Sequence, residues 1–160
     1  MKKKNILILS ILIISFFLVP VSLRKFHKNN AKRSIENFQT ALDYYDKAFD
    51  EYENNNPEEV IRICTLALET SPENVSIKPY AYHRADIYSL RDMAYRETGE
   101  LEKAEEDFSM IIKINPNNSR VLSAYNDRGS VRAEMGNYQE AMDDFRKSLE
   151  INPGYWNTYL

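Results

Sequence analysis

The sequence predicts an all-α protein: a short stack of helical hairpin repeats preceded by one N-terminal transmembrane helix. Three observations carry this expectation. An apolar run near the N-terminus is flanked by basic residues, a downstream segment recurs at a constant offset, and 160 residues contain only four glycines and six prolines. The interior is instead rich in Ala, Leu, Ile, Glu, Lys and Tyr, a mixture that favours helices over strands and turns.

Lys2, Lys3 and Lys4 precede an 18-residue run from Ile6 to Leu23, broken only by Ser10, Ser15, Pro20 and Ser22. That length is just enough to cross the hydrocarbon core as a helix. The run reads as an uncleaved anchor in preference to a removed signal peptide, because Pro20-Val21-Ser22 matches poorly the small residues a signal peptidase needs. The chain is therefore expected at a membrane, crossing it once. Arg24, Lys25, Lys28, Lys32 and Arg33 on the far side nearly balance three lysines and the amino terminus on the near side, so charge does not assign the orientation. The expected divisions are a basic tail at 1–5, the anchor at 6–23, a basic juxtamembrane linker running into a first helix at 24–40, and the repeats at 41–160.

Charge is unevenly shared. Residues 1–33 hold eight Lys/Arg and no Asp/Glu, leaving 13 basic against 24 acidic residues downstream. A nucleic-acid binder must neutralise phosphates with a basic face, so nucleic acid is excluded as a partner of this acidic body.

Two stretches superimpose, Tyr88 to Pro116 and Tyr125 to Pro153. Gly99, Ala104, Phe108, Ile114, Asn115 and Pro116 recur as Gly136, Ala141, Phe145, Ile151, Asn152 and Pro153, each displaced by 37. Every unit reads as helix, tight turn, helix, stop. Glycine supplies the positive φ that ends a first helix, and Asn-Pro ends the second because proline cannot continue a helix and disfavours helical geometry before it. A small residue followed four positions later by Phe lets helices approach closely and fills the gap beside them.

These residues resemble the tetratricopeptide repeat family, whose period of about 34 residues carries the pattern W-x2-L-G-x2-Y…A-x3-F…P. Ala104-x3-Phe108…Pro116 and Ala141-x3-Phe145…Pro153 carry the likeness, with Tyr88 and Tyr125 at the aromatic opening position, Gly129 at the small position of the third copy and Tyr95 at the inner aromatic position of the second. The resemblance implies a right-handed superhelix of hairpins. Arg91 and Arg128 replace Leu, Asp92 replaces Gly and Arg132 replaces Tyr, from which looser first-helix contacts are expected. A degenerate first copy places Tyr44, Ala48, Val60, Cys64 and Pro72 correspondingly, with Asn54-Asn55-Asn56-Pro57 as its turn. Its first helix is expected to start near Ala31, with Phe38, Leu42, Tyr45, Phe49 and Tyr52 recurring every three or four residues. The copies span 41–74, 85–118 and 122–155, and the extra length between the first two is assigned to a longer loop over Glu73 to His83 with an early helix start near Pro79. Tyr155, Trp156, Tyr159 and Leu160 could cap the last apolar edge or pair with a second copy of the chain, so a homo-oligomer is the alternative to a capped monomer.

In such an architecture the first helices line a concave surface. Counting along them gives Tyr45, Phe49 and Tyr52 from the first copy, Asp86, Ser89, Met93 and Arg96 from the second, and Ser123, Asn126, Ser130 and Glu134 from the third. Aromatic anchors and dispersed polar groups suit a peptide or protein segment, which makes the expected role a membrane-tethered adaptor or scaffold. Packing against the linker is the alternative for the three aromatics. Some relatives bind chaperone tails through a clamp of Lys, Asn and Arg, but Ser123 and Asp127 stand at the third-copy places, so that ligand is not expected. Asp46, Glu53, Asp86, Glu97, Asp127 and Glu134 lie on or beside the surface with Arg96 the main opposing charge, and the expected ligand carries Lys or Arg. A merely solvated acidic face is the alternative.

No catalysis, cofactor or metal is expected. His27 and His83 are the only histidines and have no second ligand at metal spacing; Cys64 falls at the place of Phe108 and Phe145 and reads as a small core residue without a base beside it. Glu105-Glu106-Asp107 and Asp143-Asp144 are adjacent along helices and are expected to be solvated. Glycine-rich phosphate loops and the G-x-S-x-G and H-E-x-x-H motifs are missing from the sequence.

Overall fold

The computed structural model describes residues 21–71, 78–114 and 120–154, with the side chains of 28–71, 83–114 and 120–154. The expected anchor at 6–23 lies outside the described residues except for its last three, as do Tyr155, Trp156, Tyr159 and Leu160. No described helix is long and apolar enough to cross a membrane.

Residues 1–36 and 37–160 form two compact units. In the first, the described part is helical and mostly exposed, and Lys32 and Glu36 stand 3.6 Å apart one turn along. In the second, six helices make three hairpins: α1 (Val21–Glu53, whose latter part belongs to this unit) with α2 (Pro57–Thr70), α3 (Lys78–Glu97) with α4 (Leu101–Ile114), and α5 (Arg120–Glu134) with α6 (Tyr138–Ile151). Helix α1 is already helical at Val21, well before Ala31, since neither proline nor glycine interrupts residues 21–56.

All three hairpin turns share one geometry. Asn55, Gly99 and Gly136 take φ of 58°, 78° and 83°, and the amide after each bonds back to the carbonyl five residues earlier: Asn56 to Glu51, Glu100 to Tyr95, Asn137 to Arg132. This closes the last turn of the first helix in the way a left-handed residue allows. Proline then opens α2 at a position whose N–H has no helical partner, with Glu58 and Glu59 complementing the helix N-terminus.

The core runs through the stack as one cluster: Ala48 from α1, Val60, Cys64 and Ala67 from α2, Ile87, Ala94 and Tyr95 from α3, Ala104, Phe108 and Ile111 from α4, and Ala124 and Val131 from α5. Consecutive helices from α2 onward pack on one another. Helices α5 and α6 come close at Gly129, where a Cβ would lie 2.8 Å from the Phe145 ring. Phe108 is buried in the core.

The substituted arginines tighten the first-helix contacts instead of loosening them. Arg91 of α3 binds Asp107 of α4 through Nε (2.8 Å) and Nη2 (2.6 Å), while its Nη1 donates to Thr65 Oγ1 of α2 at 3.0 Å. Arg128 repeats this on Asp144 (2.9 and 2.6 Å) and on Ser109 Oγ of α4 (2.8 Å). Arg132 adds Glu105 at 2.7 Å and Asp144 at 2.8 Å. Asp107 and Asp144, expected to be solvated, are therefore buried and paired, at 2% and 3% exposure. Adjacent residues of a helix point in different directions, so Glu106 and Asp143 remain exposed beside them. Arg84 ties the second hairpin to the first by donating to the carbonyls of Leu68 (2.9 Å) and Ser71 (3.2 Å), which are left open at the end of α2.

Candidate functional site

Helices α1, α3 and α5 present one face to a chain of three adjoining hollows. The first, about 240 Å³, is lined by Tyr45, Phe49 and Tyr52 of α1, Asp86, Ser89, Leu90 and Met93 of α3, and Arg120 of α5. The second, about 310 Å³, shares Ser89, Met93 and Arg120 with it and adds Asp92, Arg96, Ser123, Ala124 and Asp127, with Phe108 and Ile111 of α4 as an apolar floor. The third, about 380 Å³, lies between Met93, Arg96, Glu97 and Glu134. Shared walls make them one groove.

The groove brings together nine of the residues selected from the sequence: Tyr45, Phe49, Tyr52, Asp86, Ser89, Met93, Arg96, Ser123 and Glu134. Asn126 and Ser130 line none of the three hollows; Ser130 Oγ donates to the Asn126 carbonyl at 3.1 Å, and Asn126 hydrogen-bonds Asp127. Phe49 and Met93 are exposed apolar side chains, and the Phe49 ring lies 6.5 Å from that of Tyr52. Tyr45 is only half exposed. Its ring stands edge-on to His83 at 5.4 Å, and burial raises its phenol above the ordinary range. Phe38 also meets the same imidazole edge-on at 5.4 Å, and burial holds His83 below its ordinary range, favouring the neutral ring.

Counting by helical spacing missed Asp92 and Arg120. Arg120 stands at the start of α5 and forms an ion pair with Asp86 of α3 across the groove. Asp92 is 3% exposed and faces the second hollow, and burial pushes its carboxyl up to about 8, with Asp107 and Asp127 reinforcing the shift and Arg96 opposing it. Asp127 is raised in the same sense by burial, against its hydrogen bond from Asn126 and the charge of Arg96. The signal for Asp92 was present in the sequence as a carboxylate standing where the family has glycine.

Among the described residues no group of three or more His, Cys, Asp or Glu is placed to hold a metal ion. Cys64 is buried, and desolvation pushes its thiol up to about 12. Aromatic, methionine and carboxylate side chains together line the groove, with Phe108 and Ile111 beneath them.

A stack of helical hairpins with a groove along its first helices is the architecture of a helical repeat module. The tetratricopeptide repeat family matches residues 85–118 and again residues 123–155, so the second and third hairpins are similar to tetratricopeptide repeats. Among solved structures, the chain resembles the second TPR domain of Spaghetti (RPAP3) bound to the HSP90 peptide SRMEEVD, with 24% identity, a TM-score of 0.56 and coverage of 71% of this chain and 94% of that one. That likeness shows the all-helical repeat fold. No curated protein matches the sequence.

Proposed function

We propose that this chain is a membrane-tethered adaptor whose groove on α1, α3 and α5 binds a segment of another protein, and that the segment carries Lys or Arg. The observation that carries this is the excess of acidic side chains along the continuous groove: with Asp86 paired to Arg120 and Asp92 kept largely protonated by burial, Glu97, Asp127 and Glu134 still outnumber Arg96. Opposite charge on the ligand steers encounter and penalises acidic competitors. The RPAP3 domain holds a peptide with three acidic residues, SRMEEVD; an acid-rich groove favours the reverse. Tethering is supported by the Ile6 to Leu23 run between lysine clusters.

The test is a peptide library screened on the full chain in lipid nanodiscs. Basic binders whose affinity falls as salt rises are the expected result. Acidic binders, or affinities indifferent to salt, overturn the charge assignment, and release of the chain from membranes by alkaline carbonate overturns the tether.

A second reading rests on Tyr138 and Met142, one turn apart on α6 and 70% and 57% exposed. In it, copies of the chain associate through this edge and the adjoining C-terminus. A concentration-independent monomer in sedimentation removes it.

A further inference from the structure

We infer that the second hollow is a subsite for the ammonium head of one lysine of the bound segment, held between the Asp92 and Asp127 carboxylates that consecutive repeats contribute. This deepens the proposal above and rests on the groove being a binding site for a polypeptide.

The position of Asp92 is the starting point. Equivalent places in the first and third hairpins hold Ala48 and Gly129, both buried, small residues that let the neighbouring helix come close. The middle hairpin puts a carboxylate there, 3% exposed and facing the hollow. Burying an acid without a partner is costly, and Asp92 accepts no hydrogen bond from any described residue. This separates it from Asp107 and Asp144, each of which is held by an arginine.

The surroundings fit a lysine. Phe108, Ile111, Met93 and Ala124 give an apolar wall suited to its four-carbon stem, and Asp92 from α3 and Asp127 from α5 stand where the head would end. Other charges facing Asp92 are accounted for. Asp107 of α4 is neutralised by Arg91, Arg120 of α5 is engaged with Asp86, and Arg96 of α3 is an exposed side chain. Arg96 lines the same hollow and acts on both carboxylates from an exposed position, so a compact ammonium with three donors would share or replace its place beside Asp92 and Asp127.

Binding should then be linked to proton release. With its carboxyl raised to about 8, Asp92 is mostly protonated at pH 7 in the free protein and must ionise to hold a cation. Affinity for a lysine-bearing segment therefore rises with pH, by about tenfold between pH 7 and pH 9, a range in which lysine itself stays charged.

The experiment uses the full chain in nanodiscs and a nine-residue peptide selected from a phage library, with each lysine replaced in turn by norleucine. One replacement is expected to weaken binding at least tenfold to the unaltered chain and under twofold to Asp92→Asn, and the rise in affinity between pH 7 and pH 9 is expected to vanish in Asp92→Asn. Asp127→Asn, at a half-exposed position, tests the subsite a second way if Asp92→Asn melts early. Binding that Phe49→Ala and Met93→Ala weaken, with no lysine sensitive to either carboxylate variant, overturns the subsite and leaves the groove standing. Binding that neither apolar variant weakens overturns the groove, and the subsite with it.

Discussion

The guanidinium of Arg91 holds the Asp107 carboxylate through two parallel bonds of 2.8 and 2.6 Å, in surroundings that leave Asp107 almost without solvent. The same bond pair recurs between Arg128 and Asp144. A buried pair of this kind is stabilising mainly against its own half-removal, because a lone buried charge is worse than either the pair or none. Asp107→Ala is therefore expected to cost about 3–5 kcal/mol in urea unfolding, whereas Arg91→Leu combined with Asp107→Leu should lie within about 1 kcal/mol of the unaltered chain or above it. Equal losses in the single and double variants would contradict this.

Gly129 lies close against the Phe145 ring in the third hairpin. Gly129→Ala adds a methyl group to a place with no room, with an expected loss of about 1–3 kcal/mol. The loss should shrink when Phe145→Leu is already present, and a double-mutant cycle from thermal or chemical melts measures that coupling. An additive cycle would place the cause elsewhere.

Asp92 gives stability a pH dependence of unusual sign for a carboxylate. Its folded value is raised to about 8 from an ordinary 3.8, so between those values the native chain keeps a proton that the unfolded chain has lost. The contribution is fully present below the unfolded value and is lost as pH rises toward 8, at a slope of at most about 1.4 kcal/mol per pH unit. Melting temperatures of the unaltered chain and Asp92→Asn should diverge from pH 4 to pH 8 and run parallel above it. A constant difference across that range would show that Asp92 is ionised throughout.

Cys64 is fully buried, and burial raises its thiol to about 12. The thiolate is the reactive form, so a disulfide reagent at pH 8 should label this position only as fast as the repeats open. Rates that rise with urea in step with unfolding are expected. Rapid labelling of the native chain would contradict the burial of Cys64 in the core.

The hairpins were legible because their signals are local. Gly99 and Gly136 in turns, Asn55 in the same geometry, and the small-then-aromatic spacing of Ala104 with Phe108 each constrain a few consecutive residues, and a repeat multiplies the evidence. Most of the groove was legible for the same reason, since residues one or two turns apart on a first helix share a face. The arginine bridges were not. Arg91 and Thr65 are 26 positions apart, and nothing in the run Glu105-Glu106-Asp107 says which carboxylate turns inward. Arg120 was missed because its partner, Asp86, belongs to the preceding hairpin. Asp92 was visible as a departure, but its meaning depends on the hollow that the neighbouring helices enclose.

Near-identical building blocks face a sorting problem: one hairpin could dock on the wrong neighbour, or on the right one displaced by a turn, and still hide its oily side. The hydroxyls of Thr65 and Ser109 remove that freedom, since each completes an arginine fixed in the following hairpin. A neighbour displaced by a turn would leave one Nη1 donor of that guanidinium without its hydroxyl, at a cost of about 1–3 kcal/mol. The third hairpin carries Arg146 at the place of those hydroxyls, so among the described hairpins this bridge is made at the two junctions between them.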